Sequence, residues 1–183
     1  MKKGLIALVC AALVCAAAAA VLFRDVLFLP GWVQWQQRQI VCEGEAAPDR
    51  FELRERRALA RASDMVLWRS DAALRVQDIL WCDVDRDGAE ELLLLCWRRG
   101  RYGESRPFWV EHDEKSWSQH IYIYDWTADG PRPRWMASDI GLDAAQWRFD
   151  GTRLLITDRT GAVSAWQWVS WGLRQVALPD AEA

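Results

Sequence analysis

The chain has 183 residues, 23 Lys and Arg against 26 Asp and Glu, and a formal net charge of −3. Only Lys2 and Lys3 precede the first apolar run, so residues 4–183 carry 21 basic and 26 acidic side chains, a balance of −5. A mildly acidic surface of this kind offers no footprint for nucleic acid or anionic lipid, and about 150 residues beyond the apolar start allow one domain or two small blades with a modest core.

The chain begins Met1-Lys2-Lys3 and then runs from Gly4 to Phe23 without a charge. Twenty residues at about 1.5 Å each span the ~30 Å hydrocarbon layer of a bilayer. Residues 1–35 therefore read as an N-terminal membrane anchor, a single transmembrane helix with Trp32 and Trp35 at the interface. The two lysines stay inside and send the rest of the chain out of the cytoplasm. A cleaved signal peptide is the alternative, since Ala16 to Ala20 offers small-residue cleavage sites, and it leads to a secreted protein. Neither Val9 before Cys10 nor Val14 before Cys15 is the small residue a lipoprotein start requires.

Residues 36–63 turn charged and Ala-rich. Pro48-Asp49 is a plausible helix start and Asp49 to Ala62 contains good helix formers, so this stretch reads as a short stalk or docking helix, or as a solvated linker.

From Asp64 to residue 183 the texture is β. Apolar runs of strand length occupy 65–69, 76–84, 91–98, 120–126, 133–138, 145–149, 153–158 and 162–169, separated by turn signals. Leu92 to Trp97 is continuously apolar, as in a strand covered on both faces, whereas His120 to Tyr124 alternates. Asp150-Gly151 marks a tight hairpin, and Asp129-Gly130 and Thr160-Gly161 mark further turns. The expected fold is all-β. Two groups of blade-like antiparallel strands, at 64–126 and 133–177, would form a propeller-type or sandwich-like pair. Thirteen Trp suit such a core. Cys82 and Cys96 lie at unequal distances from the turn between their strands, so no bridge between them is expected.

Between two of these strands runs Asp83-Val84-Asp85-Arg86-Asp87-Gly88-Ala89-Glu90-Glu91. Carboxylates at positions 1, 3, 5 and 9, a Gly at 6 and a backbone carbonyl at 7 offer a hard cation the oxygens it prefers. Four carboxylates in nine residues also repel one another unless a cation neutralises them. An EF-hand would need flanking helices and a Glu at position 12, where this chain has Leu94. The D-x-D-x-D-G-x-x-E-L spacing between strands resembles the FG-GAP (integrin α, VCBS-type) repeats of β-propellers over residues 76–99. Those repeats have Asp where this chain has Glu91, and no second acidic loop follows. The resemblance implies a structural Ca2+ held by Asp83, Asp85, Asp87, the Ala89 carbonyl and Glu91.

The interval from Arg99 to Ser118 is the longest without a clear strand, and long loops in compact domains are often functional. Tyr102, Phe108, Trp109 and Trp117 stand there beside Glu111, His112, Asp113 and Glu114, a combination suited to a glycan or protein ligand; Phe108-Trp109-Val110 could equally be an edge strand. No G-x-S-x-G, H-E-x-x-H or Cys/His signature supports an enzyme. The expectation is thus a membrane-anchored, extracytoplasmic binding or interaction module stabilised by calcium. The competing reading is a cell-envelope polysaccharide hydrolase with paired carboxylates, which needs only two acids at fixed separation.

Overall fold

The computed structural model describes residues 28–43, 47–102 and 106–178. The uncharged N-terminal run lies outside these residues. Among the described residues, no helix is long and apolar enough to cross a membrane.

The described chain is all-β, with twelve strands in three four-stranded antiparallel sheets. The first contains β1 (Arg38–Val41), β2 (Arg50–Arg54), β3 (Arg57–Ala62) and β4 (Met65–Arg69). β5 (Arg75–Cys82), β6 (Glu91–Arg99), β7 (Trp117–Thr127) and β8 (Gly130–Met136) form the second. The third consists of β9 (Ala144–Phe149), β10 (Leu154–Asp158), β11 (Val163–Val169) and β12 (Gly172–Val176). Within each sheet every strand pairs with its neighbour in the chain, so each is a simple meander.

The second sheet is the middle layer. Side chains alternate across a strand, and β6 uses both faces. Leu92, Leu94 and Cys96 join Phe51, Leu53 and Ile79 in one core, while Leu93 and Leu95 join Ile121, Trp147 and Leu154 in another. The continuous apolar run at 92–97 has this cause. Burying each of the four leucines stabilises the fold by about 1.5–3 kcal/mol relative to leaving it exposed.

Polar groups also tie the layers together. Gln77 on β5 accepts from Trp97 Nε1 and Gln119 Nε2, both at 2.8 Å, and donates to the Ala144 carbonyl of β9 at 3.0 Å. Gln119 Oε1 accepts from the Ala144 amide at 2.7 Å. These buried groups are thereby satisfied, as burial requires.

Two sequence expectations are corrected. Residues 50–62 form the β2–β3 hairpin, not a helix or a linker, because Phe51, Leu53, Ala58 and Ala60 alternate inward and are fully or nearly fully buried. The turn joining them, Glu55-Arg56, takes positive φ at both residues (52° and 63°). That is the geometry of a two-residue hairpin turn, without the Gly or Asn that usually announces it. Secondly, there are three sheets rather than two groups. The strand at 65–69 closes the first sheet, and the one at 133–138 belongs with β5–β7, where Ile123 pairs with Trp135. The eight anticipated strands correspond to β4 through β11, and the hairpin at Asp150-Gly151 joins β9 to β10.

Trp32 and Trp35 do not stand clear of the domain. Trp32 meets Trp97 edge-on at 5.7 Å, and the Arg56 guanidinium lies 4.2 Å from the Trp35 ring centre. Cys42, Cys82 and Cys96 are all free thiols. Burial pushes the Cys82 thiol up to about 12, so it is not a thiolate at neutral pH.

Candidate metal centre and binding loop

The acidic loop joins β5 to β6. It is folded by its own carboxylates. Asp83 accepts from the amides of Asp87 at 3.1 Å and Gly88 at 3.0 Å. Asp85 Oδ1 accepts from the Asp87 amide at 3.2 Å, and Asp87 Oδ1 from that of Ala89 at 2.9 Å. Gly88 has φ of 93°, a conformation that side chains rarely tolerate. Glu91 opens β6 and is almost fully buried, with Oε2 accepting from the Val84 amide at 2.9 Å. Burial pushes its carboxyl up to about 7.

One carboxylate oxygen from each of Asp83, Asp85, Asp87 and Glu91 lies within 4.8 Å of the others. Oxygens on opposite sides of a calcium ion stand about 4.6–5.2 Å apart, given Ca–O distances of 2.3–2.6 Å. The donor set is all hard oxygen. Geometry and donor chemistry therefore suit a metal ion that prefers oxygen ligands.

A cation of the protein's own also reaches this cluster. Arg134 on β8 makes an ion pair with Asp85, approaches Asp87 and Glu91 at 3.8 and 3.9 Å, and bonds Asp125 Oδ1 at 2.8 Å. Burial acts to raise the Asp125 carboxyl, but hydrogen bonds from Arg134 and Arg132 outweigh it and hold the group below its usual range. The repulsion among the acids is thus partly relieved without a metal. Arg134 and Asp125 were invisible as site residues in the sequence, because they lie on the strands β8 and β7 and not in the acidic motif.

The long interval spans residues 100–116, since β7 begins at Trp117. Asp113 secures its base. Its carboxylate accepts from the amides of Arg101 at 2.8 Å, Tyr102 at 3.2 Å and Glu114 at 2.9 Å. A side chain at Gly100 would collide with that carboxylate, which explains the glycine there. Phe108 and Trp109 stand outside, 94% and 71% exposed, and meet edge-to-face at 4.8 Å.

The four aromatics do not form one platform. Tyr102 lines a 310 Å³ cleft with Asp71, Arg98, Tyr122 and Tyr124. Trp117 is half-buried between Arg99 and Arg75 and lines a separate 220 Å³ cleft with Glu114, Asp139 and Asp143. His112 is exposed. The other histidine, His120, is buried, with Nδ1 3.0 Å from the Ala137 carbonyl and Nε2 2.8 Å from the Ser118 hydroxyl. No protein-family model matches the sequence, and no curated protein or solved structure matches the chain.

Proposed function

We propose that this chain is a membrane-anchored binding module displayed outside the cytoplasm, built of blade-like sheets, stabilised by Ca2+ at the 83–91 loop, and using Phe108 and Trp109 to touch its ligand. The observation that carries this reading is the exposed Phe108–Trp109 pair on a loop whose base is fixed by Asp113. Large apolar rings left in water on an anchored loop are what a binding surface needs and a connector does not. Three four-stranded meanders, each packed face-on against the next, support the propeller-type description. The uncharged run from Gly4 to Phe23 supports the anchor, with Lys2 and Lys3 inside. The 4.8 Å cluster of four acids supports the ion.

The test is a glycan and peptide array probed with the chain and with its Phe108→Ala and Trp109→Ala variants. Loss of tenfold or more in affinity to the array hit, with an unchanged melting temperature, is the expected result. A drop in melting temperature without a specific loss of binding removes the loop from the site.

A second reading draws on the 220 Å³ cleft, where Glu114, Asp139 and Asp143 converge beside Trp117. There a polysaccharide hydrolase would find its paired carboxylates. Release of reducing ends from envelope glycans, abolished by Asp139→Asn, would favour it.

A further inference from the structure

The outer face of the β1–β4 sheet is unlike the rest of the molecule. Phe51, Leu53, Ala58 and Ala60 point into the core, so the alternate residues of β2 and β3 point out. Those residues are Arg50, Glu52 and Arg54 on β2, and Arg57, Leu59 and Arg61 on β3. Arg69 pairs with Leu59 from β4 and shares its face. Arg54, Arg57, Leu59 and Arg69 line one shallow cleft together with Glu55 of the β2–β3 turn, which confirms that they share a side. Five arginines thus face two carboxylates, Glu52 within the strands and Glu55 at the turn. Glu52 is already held by Arg50 at 2.8 Å and Arg61 at 2.9 Å, and the arginines that remain outnumber Glu55, which leaves the face net positive in a chain that is acidic overall.

The same face has an apolar margin. Val41 and Val66 lie at the two ends of the row that runs through Arg50 and Arg61, and next to Val66 on the edge strand β4 Leu67 sits at a bulge, while Met65, opposite Ala62, belongs to the other face of that edge. All four are exposed: Val41 72%, Met65 68%, Leu67 51% and Val66 40%. Leaving them in water is costly, and an edge strand with such residues invites a cover.

We propose that this face is a docking surface for an anionic phospholipid bilayer. Arginines attract phosphate and carboxylate headgroups, and apolar side chains beside them gain by entering the boundary between headgroups and acyl chains. A nucleic acid would match the arginines but offers nothing to Val41, Val66 and Leu67. The face stands on strands β1 to β4 and does not depend on whether the N-terminal run is an anchor, although an anchor would hold it near lipid at high effective concentration.

The experiment is hydrogen exchange on the full chain, mixed with lipid nanodiscs that are either wholly zwitterionic or about one-third anionic. Amides of β4 are expected to exchange at least tenfold more slowly on the anionic discs alone, and the slowing should vanish in 1 M salt. The double variant Arg54→Gln, Arg69→Gln removes two exposed charges. At roughly fivefold per charge the docking equilibrium should fall about 25-fold and the slowing should disappear, with the melting temperature unchanged. Equal exchange on both kinds of disc, or slowing retained by the variant, would overturn the proposal. Slowing that rises with protein concentration in the absence of lipid would assign the face to a second copy. Slowing produced by a short DNA duplex and not by anionic discs would assign it to nucleic acid. A chain that does not co-purify with neutral discs, yet is slowed at β4 on anionic ones, supports the docking face and fails only as an anchor.

Discussion

The carboxylate of Asp78, on β5, accepts a hydrogen bond from the indole Nε1 of Trp147, on β9, at 3.1 Å. Arg38 of β1 donates to the same carboxylate through Nη2 at 2.9 Å. One nearly buried acid therefore joins the middle sheet to both of its neighbours. Asp78→Ala strands the buried Trp147 N–H, which costs about 1–3 kcal/mol before the loss of Arg38 is counted. The urea midpoint should fall accordingly, and a shift no larger than that of an exposed Asp→Ala control would show that the link is incidental.

Arg134 sits among the carboxylates that would hold calcium. Replacing it by Gln removes their resident counter-charge, so stability in chelator should drop by about 1–3 kcal/mol. Calcium should then restore more to Arg134→Gln than it adds to the unaltered chain, because it no longer shares Asp85 and Glu91 with a guanidinium. At a hundred times the dissociation constant the gain is about 2.7 kcal/mol. Asp85→Ala should remove the response. Melting curves in calcium and in chelator decide it, and identical curves for both proteins would reduce the loop to a self-folded turn.

His120 gives the chain a pH dependence on the acid side. Burial lowers its pKa, and the bond to the Ala137 carbonyl and the nearby Asp139 oppose this without cancelling it, while Arg98 adds to the lowering. A depressed histidine is neutral in the native state. The unfolded chain takes up the proton first, so stability is complete above about pH 6.5 and declines as pH falls from there toward the native value. His120→Gln should flatten that part of the profile in unfolding measured from pH 8 to pH 5. A slope unchanged by the substitution would assign the dependence to other groups.

The turn at Glu55-Arg56 is strained at both residues. Arg56 also covers the Trp35 ring, so its replacement would mix two effects. Glu55→Asn isolates the backbone term, because Asn accepts positive φ more readily than Glu. A gain of about 0.5–1 kcal/mol is expected, read as a rise of a few degrees in melting temperature. No gain would mean that Glu55 makes a compensating interaction.

The same turn shows where the sequence was legible and where it was not. β6 could be read because four consecutive leucines admit few alternatives to a doubly covered strand. β9 and β10 could be read because Asp150-Gly151 names its own hairpin, with Asp150 Oδ1 accepting from the amides of Thr152 at 2.9 Å and Arg153 at 2.7 Å. Residues 50–62 could not. Their Ala, Leu, Arg and Glu are helix formers, and a turn made of Glu and Arg carries no punctuation, so packing against β5 and β6 decided what propensity had not. At the acidic loop the clustering of the four acids was plain, whereas Arg134 lies 49 positions from Asp85 and meets it only once β8 is in place. Overall charge was the most misleading signal. A net excess of acid concealed a face of arginines because composition has no geometry.

The meander order of the three sheets has a consequence for how the chain reaches its native state. Each strand pairs only with the strand before or after it, and most of these connections are tight turns. Little chain entropy is spent in closing them, so backbone pairing can begin separately in each third of the molecule. The single long closure is the one between β6 and β7. Until β7 arrives, β6 has an unpaired edge and leucines on both sides, which makes this interval the moment of greatest risk for aggregation. Shortening the connection at 103–106 should therefore speed refolding even where it leaves the final stability unchanged.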